Sequence, residues 1–206
     1  MKKPYFVGIS GGSASGKSFL LRKILQTYPR EQVTLISQDN YYIDRSKLPV
    51  NDKGDYNFDH PDAVNLDALH VDLEKLSRNE TVTLMEYTFG NPNIVPKEIT
   101  YHPSPIILVE GLFTFYNPKV SDLLDLRIFV DADEHIKLSR RIKRDLEERG
   151  YKLNEILYYY EEYVVPMYRR YVEPYKDICD MVLPNNHHMD RAIRVLLHHF
   201  DAVLAK

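Results

Sequence analysis

The chain has 206 residues, 44% of them hydrophobic and 28% charged, with a formal net charge of −3, enough apolar material for one domain with a sizeable core. The near-neutral balance argues against a nucleic-acid partner, because the single basic cluster, Lys137 to Arg149, is diluted by acids in the same segment. The lone Cys179 cannot form an intrachain disulfide, no apolar run approaches the roughly 20 residues of a membrane span, and Met1-Lys2-Lys3-Pro4 leads into no long apolar signal segment, so a soluble cytoplasmic protein with no membrane partner is expected.

The apolar run Tyr5 to Ser10, bounded by Gly11 and Gly12, reads as a buried strand. A helix follows from Lys17 to Tyr28, where Leu20, Leu21, Ile24 and Leu25 recur at helical spacing and Pro29 marks the end. A second strand covers Gln32 to Ser37. Asn40 to Pro61, rich in Asp, Asn, Tyr and Pro, reads as a long functional loop, since long connections without regular structure are uncommon otherwise. Leu66, Leu69, Leu73 and Leu76 predict an amphipathic helix. Thr81 to Tyr87 and Lys97 to Tyr101, separated by a loop carrying Gly90, Asn91 and Pro92, predict a β-hairpin that projects from the main sheet.

Ile106 to Gly111 and Leu126 to Asp131 are continuous apolar runs of the kind buried on both faces of a parallel sheet. A helix from Asp133 to Arg149 stops at Gly150, and a long tyrosine-rich helix follows, kinked or divided at Pro166. Ile178 to Leu183 supplies a last strand, and Met189 to Leu204 closes as a helix. The alternation predicts an α/β fold: a mainly parallel five-stranded sheet covered by helices on both faces.

Gly11-Gly12-Ser13-Ala14-Ser15-Gly16-Lys17-Ser18 matches G-x-x-x-x-G-K-[ST] between a predicted strand and a predicted helix, the context its chemistry requires. At ordinary residue frequencies the bare pattern arises in roughly one chain of this length in a hundred. Its glycines let backbone N–H groups turn onto phosphate oxygens, Lys17 reaches the β and γ phosphates, and Ser18 can hold Mg²⁺, so ATP with Mg²⁺ is the expected donor. Glu110, at the end of its strand, is a candidate to orient Mg²⁺, or else caps the strand-to-loop turn. Asp39, carried by the second strand to the same edge, can accept the proton of an acceptor hydroxyl in line with the γ phosphate; the alternative is that it only pairs with Lys17 or supports the metal shell.

With the phosphate loop, Ser37 to Tyr42, Tyr56 to Ala63, Val109 to Tyr116, Leu138 to Gly150 and Val164 to Pro184 occur in an order that resembles the uridine-cytidine kinase family over most of the chain. The resemblance implies a P-loop kinase of one domain, residues 1–206, with a hairpin at about 81–101 and a helical lid at about 133–152. It implies transfer of the γ phosphate of ATP to the 5′-hydroxyl of a pyrimidine ribonucleoside, with Asp39 as general base and Asp59 on the ribose hydroxyls, where one carboxylate suits a cis-diol. Tyr42, Tyr87, Phe89 and Arg141 would contact the nucleoside. Lys137, Arg141 and Arg144 share one helical face and Leu138, Ile142 and Leu146 another, so the basic face can close over phosphates while the apolar face packs. By similarity Arg144 and Arg149 neutralise charge on the transferred group. The bland alternative is a solvated helix laced with pairs to Asp145, Glu147 and Glu148.

The sequence departs from the family where the base is read. The hairpin's Tyr87-Thr88-Phe89 runs into Gly90 with no following His, Tyr151 stands where the family has an arginine, and Tyr159 where it has a glutamine. Such a site is expected to discriminate bases weakly, or by stacking on Tyr87, Phe89 and Tyr151, with uridine the leading acceptor. Leu183 to Asp190 also departs from the family's adenine-side loop. Tyr158-Tyr159-Tyr160 with Tyr163, Tyr168 and Tyr171 are expected to pack helices and a subunit interface, in a dimer or tetramer, rather than to form a stacking platform. His187-His188 and His198-His199 do not suggest zinc, because neighbours on a helix point about 100° apart. The competing functions are a kinase for another riboside, such as nicotinamide riboside, or a small hydroxyl acceptor, and a non-catalytic nucleotide switch.

Overall fold

The computed structural model describes residues 3–48, 54–89 and 94–206. The expectations for Gly90, Asn91 and Pro92, and for Pro49 to Lys53 of the long loop, lie outside the described residues. Five strands, β1 (Tyr5–Ser10), β2 (Val33–Ser37), β5 (Ile106–Glu110), β6 (Leu126–Asp131) and β7 (Met181–Pro184), form one sheet in the order β2-β5-β1-β6-β7, and every pairing is parallel. β3 (Val82–Met85) and β4 (Glu98–Tyr101) pair antiparallel as a separate two-stranded sheet, with Val82 opposite Tyr101.

Strand alternation sorts the core into two layers. Phe6, Ile107 and Val109 face the leucines of α2 (Leu66–Ser77), where Leu69, Leu73 and Leu76 are wholly buried. Val7, Ile9, Ile106 and Leu108 face α1 (Lys17–Thr27) and α7 (Asp190–Leu204), meeting Leu20, Ile24, Leu196 and Phe200. Each such side chain contributes on the order of 1.5–3 kcal/mol by leaving water. A short helix, α3 (Pro118–Ser121), lies beside α2. Among the described residues no helix is long and apolar enough to cross a membrane.

The chain builds one flank of β1 with β2 and β5, then crosses to build the other with β6 and β7. The crevice at the carboxyl end of β1 is therefore a topological switch point, where ligands enter α/β sheets. The phosphate-loop motif occupies that turn.

Three details differ from the sequence reading. The long loop contains short 3₁₀ turns at Gln38–Tyr41, Arg45–Lys47 and Pro61–Ala63, and Tyr42 bridges to Val64. The tyrosine-rich segment is divided before the proline: α5 (Leu153–Tyr159) passes through a π turn, Tyr160–Val164, into α6 (Val165–Tyr171). Pro166 lacks the N–H that would complete an uninterrupted ladder, and the wider turn absorbs that loss. β7 begins at Met181 instead of Ile178, because the Asp180 carboxylate accepts the Arg127 N–H at 2.7 Å and Ile178 stays exposed.

The helix α4 (Glu134–Glu147) corrects a packing expectation. It buries Lys137 and Asp145, whereas Leu146 is 42% exposed and Leu138 and Ile142 are only half-buried. Its charged face turns inward because the partners of that charge, described next, lie in the cleft.

Candidate active site

The phosphate loop is shaped by backbone geometry that its sequence permits. Gly11 and Gly16 have φ of 144° and 111°, and a Cβ on either would collide, with the Val130 carbonyl and with Asn185 respectively. Ala14 also sits in the left-handed region, at φ 61°. No side chain caps the first turn of α1, and Ser15 Oγ is buried without a partner among the described residues. Unpaired N–H groups, an orphaned hydroxyl and the dipole of an 11-residue helix fit a bound phosphate. The Lys17 ammonium donates to the Gly11 and Gly12 carbonyls at 2.7 and 3.3 Å. Burial lowers its pKa, opposed by Glu110 and Asp39.

β2 and β5 pair Ser37 with Glu110, so the two strand ends lie side by side, and Ser37 Oγ donates to Glu110 at 2.6 Å. Asp39 follows in the 3₁₀ turn. Its side chain reaches solvent at the mouth of the cleft, yet crowding by the protein and the Glu110 carboxylate raise its pKa to about 6, against the pull of Lys17 and Arg149. Ser18, in the first turn of α1, is exposed beside the loop. The Ser18 hydroxyl and the Glu110 carboxylate are hard oxygen donors, the kind that Mg²⁺ takes from protein when phosphates and water complete its shell.

Asp59 lies deeper, its N–H held by Asn57 at 3.0 Å. Burial raises its carboxyl pKa, and Arg141, Arg144 and Arg149 oppose that rise. The three guanidiniums converge on buried Asp145 at 3.3, 2.8 and 3.3 Å, while Arg141 also donates to Ser13 Oγ of the phosphate loop at 3.0 Å. The same three guanidiniums act on Asp59, and Arg149 acts on Asp39 as well, so positive and negative groups alternate beside the cradle. The pairing to Asp145 and the approach to the loop thus coexist. Lys137 is placed elsewhere: its ammonium lies 4.0 Å from the Tyr168 ring, at a cavity of about 160 Å³ that also touches Gly12 and Ser13.

Tyr42, Tyr87 and Phe89 gather with Phe58. Tyr42 stacks on Tyr87 at 5.5 Å and lies 5.1 Å from Phe89 and 5.8 Å from Phe58. The hydroxyls of Tyr42 and Tyr87 donate to the Phe58 and Ile43 carbonyls, both at 3.1 Å. Asn40 ties this group to the hairpin, donating to the Tyr101 hydroxyl at 2.9 Å and accepting the Tyr87 N–H at 3.3 Å. Tyr151 is 52% exposed and joins none of the ring contacts among the described residues.

The cleft thus brings Lys17, Asp39, Asp59, Glu110 and Arg144 into one electrostatic neighbourhood. Sequence reasoning missed two supports. Gln38 is fully buried and its carbonyl accepts the Phe113 N–H at 2.8 Å, fixing the loop after β5 against the turn that carries Asp39. Asn185 donates to the Ser15 carbonyl at 2.8 Å, bracing the phosphate loop from the end of β7. A Gln just before the aspartate and an Asn just past a strand are weak signals until their distant partners are known.

A profile of the phosphoribulokinase / uridine kinase family matches residues 6–192. The chain is 34% identical over 206 residues to a uridine kinase of Clostridium perfringens (strain SM101 / Type A), covering 100% of this chain and 99% of that protein. It is 34% identical over 206 residues to uridine kinase-like protein 5 of Arabidopsis thaliana, covering 100% of this chain but only 44% of that protein's length. Among solved structures, D-glycerate 3-kinase from Cryptococcus neoformans var. grubii superposes with a TM-score of 0.61 at 15% identity, covering 82% of this chain and 79% of that one, a likeness of fold alone. On the family profile and the full-length identity together, the chain belongs to the phosphoribulokinase / uridine kinase family.

Proposed function

We propose that the protein is an ATP-dependent nucleoside kinase of pyrimidine salvage that phosphorylates the 5′-hydroxyl of uridine, and of cytidine, to give the monophosphate and ADP. The observation that carries this reading is the meeting of Lys17, Asp39 and Asp59 in one cleft at the switch point of the sheet. The name of the full-length relative supports the acceptor. Gly11 to Ser18 grip the triphosphate. Asp59 accepts hydrogen bonds from the ribose diol, with Arg141 beside it, and Tyr42, Tyr87 and Phe89 flank the base.

As the 5′-oxygen bonds to the γ phosphorus and the bond to the β–γ bridging oxygen breaks, the hydroxyl proton passes to Asp39. With a pKa of about 6 that carboxylate is ionised at neutral pH and basic enough to accept it. Lys17, Arg141, Arg144 and Arg149 stabilise the charge on the transferred group and on ADP. Mg²⁺ would be held by Ser18 and Glu110 and supplies charge neutralisation when bound.

This reading includes one kinase domain over 1–206 with a hairpin at 81–101 and a lid at 133–152, working as a cytoplasmic homo-oligomer, dimer or tetramer. The test is a coupled ADP-release screen across nucleosides and other ribosides with Mg-ATP. Uridine and cytidine should stimulate ADP formation well above their 2′-deoxy forms, and a basal rate with every acceptor would reject the assignment.

A further inference from the structure

The tyrosines Tyr158, Tyr159 and Tyr160 take no part in the chemistry just described, and they divide by destination. Tyr160 is buried. The other two leave α5 for the acceptor loop: the Tyr158 hydroxyl donates to Asp55 Oδ2 at 3.0 Å, and the Tyr159 hydroxyl to Asp55 Oδ1 at 2.9 Å. Tyr163 adds ring contacts, its centroid 6.3 Å from that of Tyr158 and 5.7 Å from that of Tyr159. A carboxylate taking one phenol on each oxygen makes two charge-assisted hydrogen bonds. Burial and the Asp55 carboxylate push the Tyr159 hydroxyl up to about 12, so it remains a donor across the neutral range.

Asp55 lies four residues before Asp59 on the same stretch of loop, and four residues span at most about 14 Å. The loop is therefore engaged twice by one helical unit. Arg141 and Arg144 of α4, with Arg149 just past its end, act on the Asp59 carboxylate through space, and the phenols of α5, the next helix, grip Asp55. Moving the helix pair without moving the loop would break both hydrogen bonds and strand Asp59 away from its countercharges.

We propose that Asp55, Tyr158 and Tyr159 are positioning residues that fasten α5, and with it the preceding arginine-bearing α4, to the acceptor loop, so that closure over the phosphates answers to the acceptor rather than to ATP. This rests on the nucleoside kinase reading for the identity of the acceptor, but the fastening itself does not. An incoming ribose that engages Asp59 does so beside arginines already anchored on Asp145, while the clasp holds the helices in register with the loop. Tyr159 acts here through the protein, with its hydroxyl turned onto Asp55.

The experiment compares Asp55→Ala, the double change Tyr158→Phe with Tyr159→Phe, and all three together, by steady-state kinetics and by hydrogen–deuterium exchange. Asp55→Ala and the double change should each raise the acceptor KM about tenfold, as expected for two lost hydrogen bonds, while the KM for ATP stays within about twofold. The triple variant should be no worse than either, since all three residues act as one unit. Asp55→Asn, which keeps an accepting oxygen, should recover part of the loss. Exchange in the ATP-free protein should quicken at both 54–59 and 153–163 in Asp55→Ala. An unchanged acceptor KM, effects that multiply in the triple variant, or an equal rise in the KM for ATP would overturn the proposal. A parent enzyme inert to every nucleoside rejects the nucleoside reading instead. The exchange comparison then decides the clasp alone: quickening at 153–163 keeps it and unchanged exchange there removes it.

Discussion

The helices α2 and α4 are of similar length, 12 and 14 residues, and they bury opposite kinds of surface. α2 turns Leu66, Leu69, Leu73 and Leu76 onto the sheet and its polar residues outward, so its position follows from apolar periodicity alone. α4 turns Lys137 and Asp145 inward and leaves Leu146 in solvent. Burying charge is unfavourable unless each group is paired, and for Asp145 the guanidiniums of Arg141, Arg144 and Arg149 supply that pairing. A helix that turns charge inward beside the phosphate-loop motif is set apart from α2, whose buried face is apolar. Departure from the hydrophobic pattern is what separates the two.

That contrast breaks if substitutions in the two helices have the same kind of effect. Arg144→Ala should lower turnover by roughly 10³ to 10⁵ with little change in Tm, the range for an arginine that neutralises a transferred phosphoryl group; equal loss of stability and turnover would mean that α4 is merely structural. Asp39→Asn should retain ATP binding and lower turnover by about 10² to 10⁴. In the parent, kcat/KM should fall as pH drops through about 6, where Asp39 gains its proton, and the Asn variant should lack that limb.

The sign for stability is opposite. A carboxyl whose folded pKa is raised above the usual value binds protons more tightly in the native state, so its relative contribution is present at low pH and lost as pH rises through about 6. Asp39→Asn should therefore leave Tm at pH 8 no lower than the parent's, and a clear drop would give Asp39 a structural duty. Leu73→Ala should cost about 2–5 kcal/mol, lowering Tm by roughly 4–20 °C, while the folded fraction keeps its kcat. Leu146→Gln should change neither stability, beyond about 0.5 kcal/mol, nor rate, although periodicity had assigned Leu146 to a packed face. A destabilisation comparable to that of Leu73→Ala would restore the apolar-face reading of α4.

The sheet strands, the phosphate loop and α2 were legible because their signals are local: continuous apolar runs, glycines that permit unusual φ, and leucines at helical spacing. The tyrosine run was legible only as a run. Beyond the packing expected of them, Tyr158 and Tyr159 engage Asp55, whose position more than 100 residues earlier gives no local cue. Tyr151 is exposed and lies apart from the rings around Tyr42, a group that Phe58 completes. Gln38 and Asn185 escaped notice for the same reason as Asp55, since each acts on a backbone group brought near by a crossover of the sheet.

The sequence alone determined that β and α elements alternate and that a triphosphate-binding motif follows the first strand, both from periodicity and motif chemistry within a few residues. The carboxylates and arginines proposed for phosphoryl transfer were marked in part by the family resemblance. Only the tertiary structure decided that α4 faces inward with its charge, that three guanidiniums share Asp145, and that the loop carrying Asp55 is held by α5. Those depend on electrostatic and hydrogen-bonded pairs between segments far apart in the chain, and no spacing along one segment encodes which distant partner will meet it.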